Sequence, residues 1–498
     1  MIDDGPLWSR VSRRPREFVV LGAVVVVAIL VVAWTLVGDS ADRPASTAGS
    51  GPYSTALGNP NEPDAVLTSR ATFPASSSAI LVRDDAAPDV LARSAQAAQE
   101  RRVPLLDVGP TSVQPVRNEL ARLGATSVAA IDPATIPDVG VGVSGLDGLR
   151  SPSSAPITDP TLVLISAGRG SEPARATAVA AGAVAAVVNG TDLLTNGDAV
   201  DFVKRHNPGR VIGIGGQFGT PALLSSHVEA ARHAPELPGG GYTLFPGRRM
   251  VALYGSPGAP ALGPLGRQNL PASIARAQRL AQSYQPFSKE KVIPAFEIIV
   301  TVASASPGVG NKYTNVIDPK TILPWVVEAG KAGVYVTLDL QPGRADFLSQ
   351  AKMYTELLKY PHVGLALDSE WRLKPNQVHL TQIGSVEAAE VNRVADWLAA
   401  LVRDNRLPQK LFVLHQFDSD MLANRNRIST ANPELAVMIH ADGHGTPPVK
   451  MSTWNRLLTG LQPGIVMGWK NFYTEDHPTF SPQQTMAVRP APWFVSYQ

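Results

Sequence analysis

The chain has 498 residues and a formal net charge of +2 at pH 7. A charge so close to balance gives no basic signature of a nucleic-acid-binding protein, so no nucleic acid partner is expected. Cysteine is absent, which excludes disulfides, thiolate metal sites and cysteine nucleophiles. The length allows about two to four domains.

The N-terminal segment predicts a membrane anchor. Residues 18–37 read FVVLGAVVVVAILVVAWTLV, a run without a charge that is long enough to span a bilayer at about 1.5 Å per residue. Arginines precede this run and aspartates follow it, so residues 1–17 are expected in the cytoplasm. A cleaved signal peptide is the alternative, although its apolar core is usually only about 7–15 residues long. We therefore expect a single-pass protein of a bacterial cell membrane whose bulk is extracytoplasmic.

A linker and a repeated region follow the apolar segment. Residues 38–63 are rich in Gly, Ser, Pro and Ala, which predicts a flexible linker. Between residues 64 and 245 a pattern of strand, helix, strand, helix and strand occurs twice, opening with AILVRDD in the first copy and LVLISAG in the second. Strands that are apolar on both faces and alternate with helices predict a repeated α/β domain with a parallel sheet in three layers.

This repeated region resembles a known family of wall-binding modules. The opening strands, the Ala-rich helices, the Arg-Leu-Gly-Ala and Pro-Gly-Arg turns and the closing VAAID and VIGIGG strands are similar to the cell-wall-binding type 2 repeats of Gram-positive surface proteins. The likeness covers roughly residues 78–216 and shows two copies where the family usually has three. It implies docking onto an anionic wall polymer. A generic α/β spacer is the alternative, and no residue role can be carried over.

Eight apolar runs lie between residues 246 and 498, with stretches of helical period between them. The runs are MVALYG, VIPAFEIIVTVA, GVYVTLDL, VGLALDSEW, LFVLHQF, AVMIHADG, IVMGWKNF and WFVSYQ. Eight such alternations in about 250 residues predict a TIM-type (β/α)8 barrel. A doubly wound open sheet would more often show a Gly-rich phosphate loop after its first strand, and GSPGAPALG is too rich in proline for that role. The expected fold class is therefore α/β, with one N-terminal transmembrane helix, a repeated α/β domain and a C-terminal barrel.

Acidic and imidazole side chains follow several barrel strands at the same end. Active sites of such barrels lie at the C-terminal ends of the strands, and side chains two residues apart share one face of a strand. An acid at a strand end is often only a helix cap, but four consecutive strands deliver an acid or a histidine to this rim. The predicted site residues are Glu297, Asp339, Asp368, Glu370, His415, His440, Asp442, Trp469 and Tyr473.

Clustered carboxylates predict acid–base chemistry. Close carboxylates raise one another's pKa, so one can stay protonated near neutrality while another is ionised. Cleavage of a glycosidic bond needs such a pair. We expect Glu370 as the proton donor, with Asp368 and Asp339 as charge partners or nucleophile.

The remaining predicted site residues are assigned to the substrate. Imidazoles and further carboxylates can bind it or serve as an auxiliary base, and aromatic rings can stack on sugar rings. The residues with this expected role are His415, His440, Asp442, Glu297, Trp469 and Tyr473. No cofactor and no metal are expected.

The segment LALDSEW resembles the fourth-strand signature of family 18 glycoside hydrolases, which ends in Asp-x-Glu followed by an aromatic residue. The resemblance implies that Glu370 is the proton donor and that Asp368 orients the amide of the substrate. The further upstream aspartates of the family would fall at Ala366 and Val363, so the full motif is broken. Substrate-assisted cleavage of an N-acetylated sugar is therefore not indicated.

Two other functions stay open at this point. The acids and imidazoles, with His444, include enough ligand types for one divalent ion, so a metal-dependent hydrolase is an alternative, although no HExxH spacing is present. A non-catalytic protein that binds glycan or organises envelope assembly is the other. The preferred reading is a carbohydrate-active hydrolase of the cell envelope whose partner is a wall polysaccharide or glycan.

Overall fold

The structure is a computed structural model, and it describes residues 52–56, 62–149, 157–168, 170–188 and 193–498. The predicted transmembrane segment, residues 18–37, lies outside these ranges. Within them, no helix combines the length and the apolar character needed to cross a bilayer. The longest helix of the described ranges is Ala388–Asp404, with 17 residues, and it carries charged side chains.

This finding corrects two predictions. The predicted fold class included a transmembrane helix, whereas the described chain is an α/β fold with a closed barrel of eight parallel strands. The predicted single-pass localisation is likewise not supported. Most of the described helices bury one face on a sheet and present the other to solvent.

Two four-stranded parallel sheets form the N-terminal half of the described chain. In chain order the strands are β1 (Tyr53–Ala56), β2 (Ser78–Arg83), β3 (Leu105–Val108), β4 (Ser127–Ala129), β5 (Val143–Ser144), β6 (Thr161–Ser166), β7 (Val184–Val188) and β8 (Arg210–Ile214). The helices are α1 (Asp64–Thr72), α2 (Pro88–Arg101), α3 (Val113–Leu123), α4 (Ser171–Ala180), α5 (Gly197–His206) and α6 (Pro221–His233). Short 3-10 turns complete the connections.

The two sheets share one topology. The first has the order β3-β2-β4-β5, and the second has the order β7-β6-β8-β1. In both, the first strand of a copy lies between the second and the third, as a duplicated unit would arrange them. The edge strand β1 belongs to the segment that the sequence assigned to a flexible linker. It pairs with β8, about 160 residues further along the chain.

One hydrophobic core joins these two sheets. It contains Ala65 of α1, Leu106 of β3 and Val163 of β6, all fully buried. At its edge the hydroxyl of Thr177 in α4 donates to Leu105 O at 2.6 Å and accepts from Leu105 N at 3.0 Å. The second copy therefore packs its helix directly against the first copy.

The C-terminal half is the closed parallel barrel, and all eight predicted apolar runs form its strands. The barrel strands are β9 (Arg248–Gly255), β10 (Lys291–Ala303), β12 (Tyr335–Leu340), β13 (Val363–Leu367), β15 (Lys410–Gln416), β17 (Leu435–Ala441), β18 (Val466–Asn471) and β19 (Phe494–Tyr497). The barrel closes because β9 pairs with both β10 and β19. Three short strands lie outside it, β11 (Thr314–Val316), β14 (Val386–Glu387) and β16 (Leu422–Ala423).

Helices cover the outside of the barrel. They are α7 (Leu270–Tyr284), α8 (Pro319–Lys331), α9 (Phe347–Met353), α10 (Thr355–Leu358), α11 (Ala388–Asp404), α12 (Pro447–Leu458) and α13 (Pro482–Ala487). Residues 417–434, between β15 and β17, contain only 3-10 turns and β16, so this connection departs from the alternation of strand and helix.

The interior of the barrel is apolar at one end and polar at the other. Near the N-terminal ends of the strands, Met250, Tyr335, Met438 and Phe494 pack together, and Leu244 of the preceding segment closes this end. Ionisable side chains fill the opposite end. This division leaves the C-terminal mouth as the place where a ligand can reach polar groups.

Replacing Trp454 in α12 tests the packing of the helices on the barrel. Its side chain is fully buried against the ring of Trp469 at 5.5 Å. We expect Trp454→Ala to lower the free energy of unfolding by about 3–5 kcal/mol because it leaves a cavity, as measured by urea denaturation. Val449→Ala, on the same helix but 53% exposed, should change it by less than about 0.5 kcal/mol. Equal effects of the two substitutions would contradict this packing.

Candidate active site

Four barrel strands place ionisable side chains on the inner face. Glu297 of β10, Asp339 of β12, His415 of β15 and His440 of β17 are all fully buried. Their positions follow from the period of two along each strand, and His415 and His440 are direct neighbours in the ladder. The structure thus brings these four predicted residues together in the C-terminal half of one barrel.

His415 lies at the centre of the cluster. Its Nδ1 is 2.9 Å from Asp442 Oδ2, and its Nε2 is 3.0 Å from Glu297 Oε1. Burial opposes protonation of this ring, but the negative charges of Glu297 and Asp339 raise the pKa of His415 well above its usual value. Each ring nitrogen therefore donates a proton to a carboxylate, and His415 is an imidazolium held between two anions.

The two carboxylates bonded to His415 are ionised. Burial would raise the pKa of Glu297, but His440 and His415 lower it to about 2. Burial likewise opposes ionisation of Asp442, yet its hydrogen bond with His415 and the charge of that ring lower the pKa of Asp442. The neighbouring His440 is neutral at pH 7 because burial lowers its pKa to about 4.

Three other carboxyl groups are shifted in the opposite direction. Burial raises the pKa of Asp339 to about 6, and the hydroxyl of Tyr254 donates to its Oδ2 at 2.8 Å. Burial, together with the charge on Glu370, raises the pKa of Asp368 well above its usual value. Burial and the nearby charge of Asp442 raise the pKa of Glu370 to about 7. The cluster therefore contains protonated and ionised carboxyl groups side by side near neutral pH.

Several oxygen atoms of this cluster have hydrogen-bonding capacity to spare. Within the part of the chain that the structure describes, Glu297 Oε2, Asp339 Oδ1, Asp368 Oδ1 and Asp442 Oδ1 are buried without a hydrogen-bond partner. Buried polar atoms in folded proteins are nearly always bonded. These four atoms are therefore acceptors that the described residues leave unused.

A cavity of about 470 Å³ opens at the C-terminal mouth of the barrel, which we call the main cavity. Its volume is in the range of pockets that bind small molecules. Glu370, on a 3-10 turn just after β13, and Asp442, just after β17, both line it. Trp371 and Phe472 contribute aromatic surface to its wall. The other buried acids of the cluster do not line this cavity.

The structure corrects the sequence analysis on β18, where Trp469 was expected to face the substrate. Gly468 is on the inner face, because a Cβ atom there would lie 2.8 Å from Met438 Sδ. The alternation then turns Trp469 outward, against Trp454 of α12 and Phe480 of the loop before α13. Tyr473 is also outside the main cavity, with its ring 5.3 Å from that of Tyr497.

Lys470 is a site residue that the sequence did not predict, as is Tyr254, which also lines the main cavity. Lys470 lines the main cavity, and its Nζ lies 3.6 Å from the centroid of the Tyr254 ring. Its positive charge opposes part of the upward pKa shift of Glu370. A signal for it was present in the sequence: Gly468 is the residue that fits the crowded interior, and the inward position after it is Lys470.

The same cluster has atoms that could hold a cation. The ligand atoms of Glu297, His415 and His440 lie within 4.8 Å of one another, as do those of Asp368, His415 and Asp442. His415 belongs to both groups, and each of its ring nitrogens already bonds a carboxylate. A metal ion would have to replace one of these protons, so the arrangement suits an imidazolium better than a metal ligand.

No family model matches the chain, and no curated protein matches it. The resemblances to cell-wall-binding type 2 repeats and to family 18 glycoside hydrolases therefore gain no support. The fold is nevertheless clear: the C-terminal half is a TIM-type barrel, an architecture that fits a hydrolase-like enzyme.

The raised pKa of Glu370 predicts a pH-dependent stability difference. Because the folded state holds this proton up to about pH 7 instead of 4.5, the wild type loses stability as the pH rises through that window. Glu370→Gln has no such proton to lose. The free energy of unfolding of Glu370→Gln minus that of the wild type should therefore increase by on the order of 2 kcal/mol between pH 5 and pH 8.

Urea denaturation at the two pH values measures this difference. Glu356→Gln is the control, since the side chain of Glu356 is 79% exposed on α10, and it should show no comparable change. A Glu370→Gln protein whose stability follows that of the wild type at both pH values would contradict the assigned protonation.

Proposed function

We propose that the barrel is a carbohydrate-active hydrolase that cleaves a glycosidic bond, with a wall polysaccharide as the substrate class. The observation that carries this proposal is the pair Glu370 and Asp442. Both line one cavity, the first carboxyl with its pKa raised to about 7 and the second with its pKa lowered. Hydrolysis of a glycosidic bond needs a protonated and an ionised carboxyl group at one site.

The two residues take different roles in the reaction. Glu370 donates its proton to the glycosidic oxygen while the bond from that oxygen to the anomeric carbon breaks. The carboxylate of Asp442 then either attacks the anomeric carbon or accepts a proton from an attacking water molecule. In the first route a water molecule then displaces Asp442 from the anomeric carbon and gives its proton to the carboxylate of Glu370, so two displacements retain the configuration of that carbon. The second route is a single displacement and inverts it.

This assignment revises the expected roles of the acids. Asp368 and Asp339 were predicted as charge partners or nucleophile, but both are buried and neither lines the main cavity. In the proposal they keep the expected role of charge partners of Glu370, and the role of nucleophile passes to Asp442. His415 orients Asp442 by bonding its Oδ2, which leaves Oδ1 without a partner among the described residues and available for the reaction.

Replacing Glu370 tests the proposed acid directly. We expect Glu370→Gln to lower kcat on wall polysaccharide fragments by roughly 10²–10⁴-fold because general acid catalysis is lost. Glu475→Gln is the matched control, since Glu475 lines the same cavity but is exposed to solvent. The control should keep the pH profile of the wild type. Full activity of Glu370→Gln would remove the proposed acid.

Replacing Asp442 tests the electrostatic coupling of the pair. The activity of the wild type should fall as the pH rises above about 7, when Glu370 loses its proton. The charge of Asp442 contributes to that raised pKa, so Asp442→Asn should move the falling limb of the residual activity to lower pH. If the falling limb of kcat against pH lies at the same pH in Asp442→Asn as in the wild type, Glu370 and Asp442 do not interact.

A metal-dependent hydrolase is the second candidate, because the two buried groups of ligand atoms are compact enough to hold an ion. The two candidates differ in their response to a chelator. The proposed mechanism predicts that activity survives exhaustive dialysis against EDTA, whereas the second candidate predicts its loss and its recovery with a divalent ion. Glycan binding without any cleavage would instead indicate a binding protein.

A further inference from the structure

A second cavity of about 310 Å³ lies beside the main one, and we call it the side cavity. Its walls are Glu370, Trp371 and the segment 379–383. Glu370 and Trp371 are the two residues that line both cavities. The proposed proton donor therefore lies at the junction of two adjoining spaces, whereas Asp442 lines the main cavity alone.

We propose that the side cavity binds the sugar unit on the leaving-group side of the cleaved bond, so that the substrate is an oligosaccharide or polysaccharide chain. This inference rests on the proposed function. Asp442 must act at the anomeric carbon, which places the sugar with that carbon in the main cavity. Glu370 must reach the glycosidic oxygen, and the group attached beyond that oxygen then extends past Glu370 into the side cavity.

The segment that forms the side cavity is anchored to the residues next to Glu370. Gly384 N donates to Glu370 O at 2.7 Å, and Ser385 N donates to Arg372 O at 3.0 Å. A Cβ atom on Gly384 would lie only 2.4 Å from Glu370 O, so only glycine permits this approach. At the other end, the ring of His379 bonds Tyr313 O at 2.9 Å. The wall of the side cavity is thus fixed relative to the acid.

The lining of the side cavity suits a sugar ring. Leu380 is 86% exposed and Ile383 is 50% exposed, and with Trp371 they provide apolar surface for the C–H face of a sugar. Trp371 Nε1 is a buried donor without a partner among the described residues, and can meet a sugar hydroxyl. Thr381 and Gln382 add polar groups between the two aliphatic side chains.

The backbone of the segment is also strained at its most exposed residue. Leu380 has φ = +66°, in the left-handed region, where the Cβ of a leucine crowds the following carbonyl oxygen. Such strain persists where the surrounding structure enforces it, and it occurs often at ligand-binding segments. The strain, the exposed aliphatic surface and the unpartnered indole donor occur together at one wall.

The test compares Ile383→Asp with Met353→Asp, a control on α9 at a residue that is 52% exposed. Two probes are used: oligosaccharides from a partial hydrolysate of a bacterial wall polysaccharide, and the glycosyl fluoride of the sugar whose bond the wild type cleaves. Fluoride is too small to use a leaving-group subsite. Ile383→Asp should lower kcat/KM for the oligosaccharides roughly tenfold or more and leave the rate of fluoride release unchanged. The control Met353→Asp should leave both rates unchanged.

The outcomes separate this inference from the proposed function. If the wild type cleaves the oligosaccharides but Ile383→Asp behaves like Met353→Asp on both probes, the side cavity is not a subsite and the hydrolase proposal stands. Equal losses on the two probes would also overturn the inference, because a leaving-group subsite does not act on fluoride release. If the wild type cleaves none of the oligosaccharides, the hydrolase proposal fails, and the inference fails with it.

Discussion

The site depends on one buried cation, the imidazolium of His415. It donates to Asp442 on one side and to Glu297 on the other. Without it, two carboxylates would be enclosed in the barrel with no bonded counter-charge, at a cost of several kcal/mol for each buried ion. Because His415 keeps Asp442 ionised, the charge of Asp442 is present to raise the pKa of Glu370. The ionised state of Asp442 therefore follows from a residue that lines neither cavity. Through the charge of Asp442 that residue contributes to the raised pKa of Glu370, whose largest cause is burial.

The geometry of the barrel explains why these groups meet. A closed parallel barrel turns alternate side chains inward, and the packed apolar end of this one restricts ligands to the other end. Small residues leave room in the interior for the larger polar side chains. At Gly364 and Gly468 a Cβ atom would collide with atoms of neighbouring strands. The loops after the strands then add Glu370 and Asp442 at the rim, above the buried histidines.

Much of this architecture could be predicted from the sequence. The barrel strands were recognisable because each is a continuous apolar run, and the inner faces of β12, β15 and β17 followed from the period of two. The prediction failed on β18, where the large aromatic Trp469 was assigned inward although Gly468 fits the interior. The pairing of β1 with β8 had no local signal, since it joins distant parts of the chain. The side cavity could not be predicted from the sequence either, because the segment 379–383 has no periodic pattern.

The central claim is that Glu370 carries a proton at neutral pH while Asp442 does not. An infrared titration of the carboxyl C=O stretch, taken as the difference between the wild type and Glu370→Gln, measures this directly. We expect the carboxylic acid band assigned to Glu370 to disappear with a midpoint of about pH 7. A midpoint near the ordinary glutamate value, about 4.5, would contradict it and would leave the cavity without a general acid.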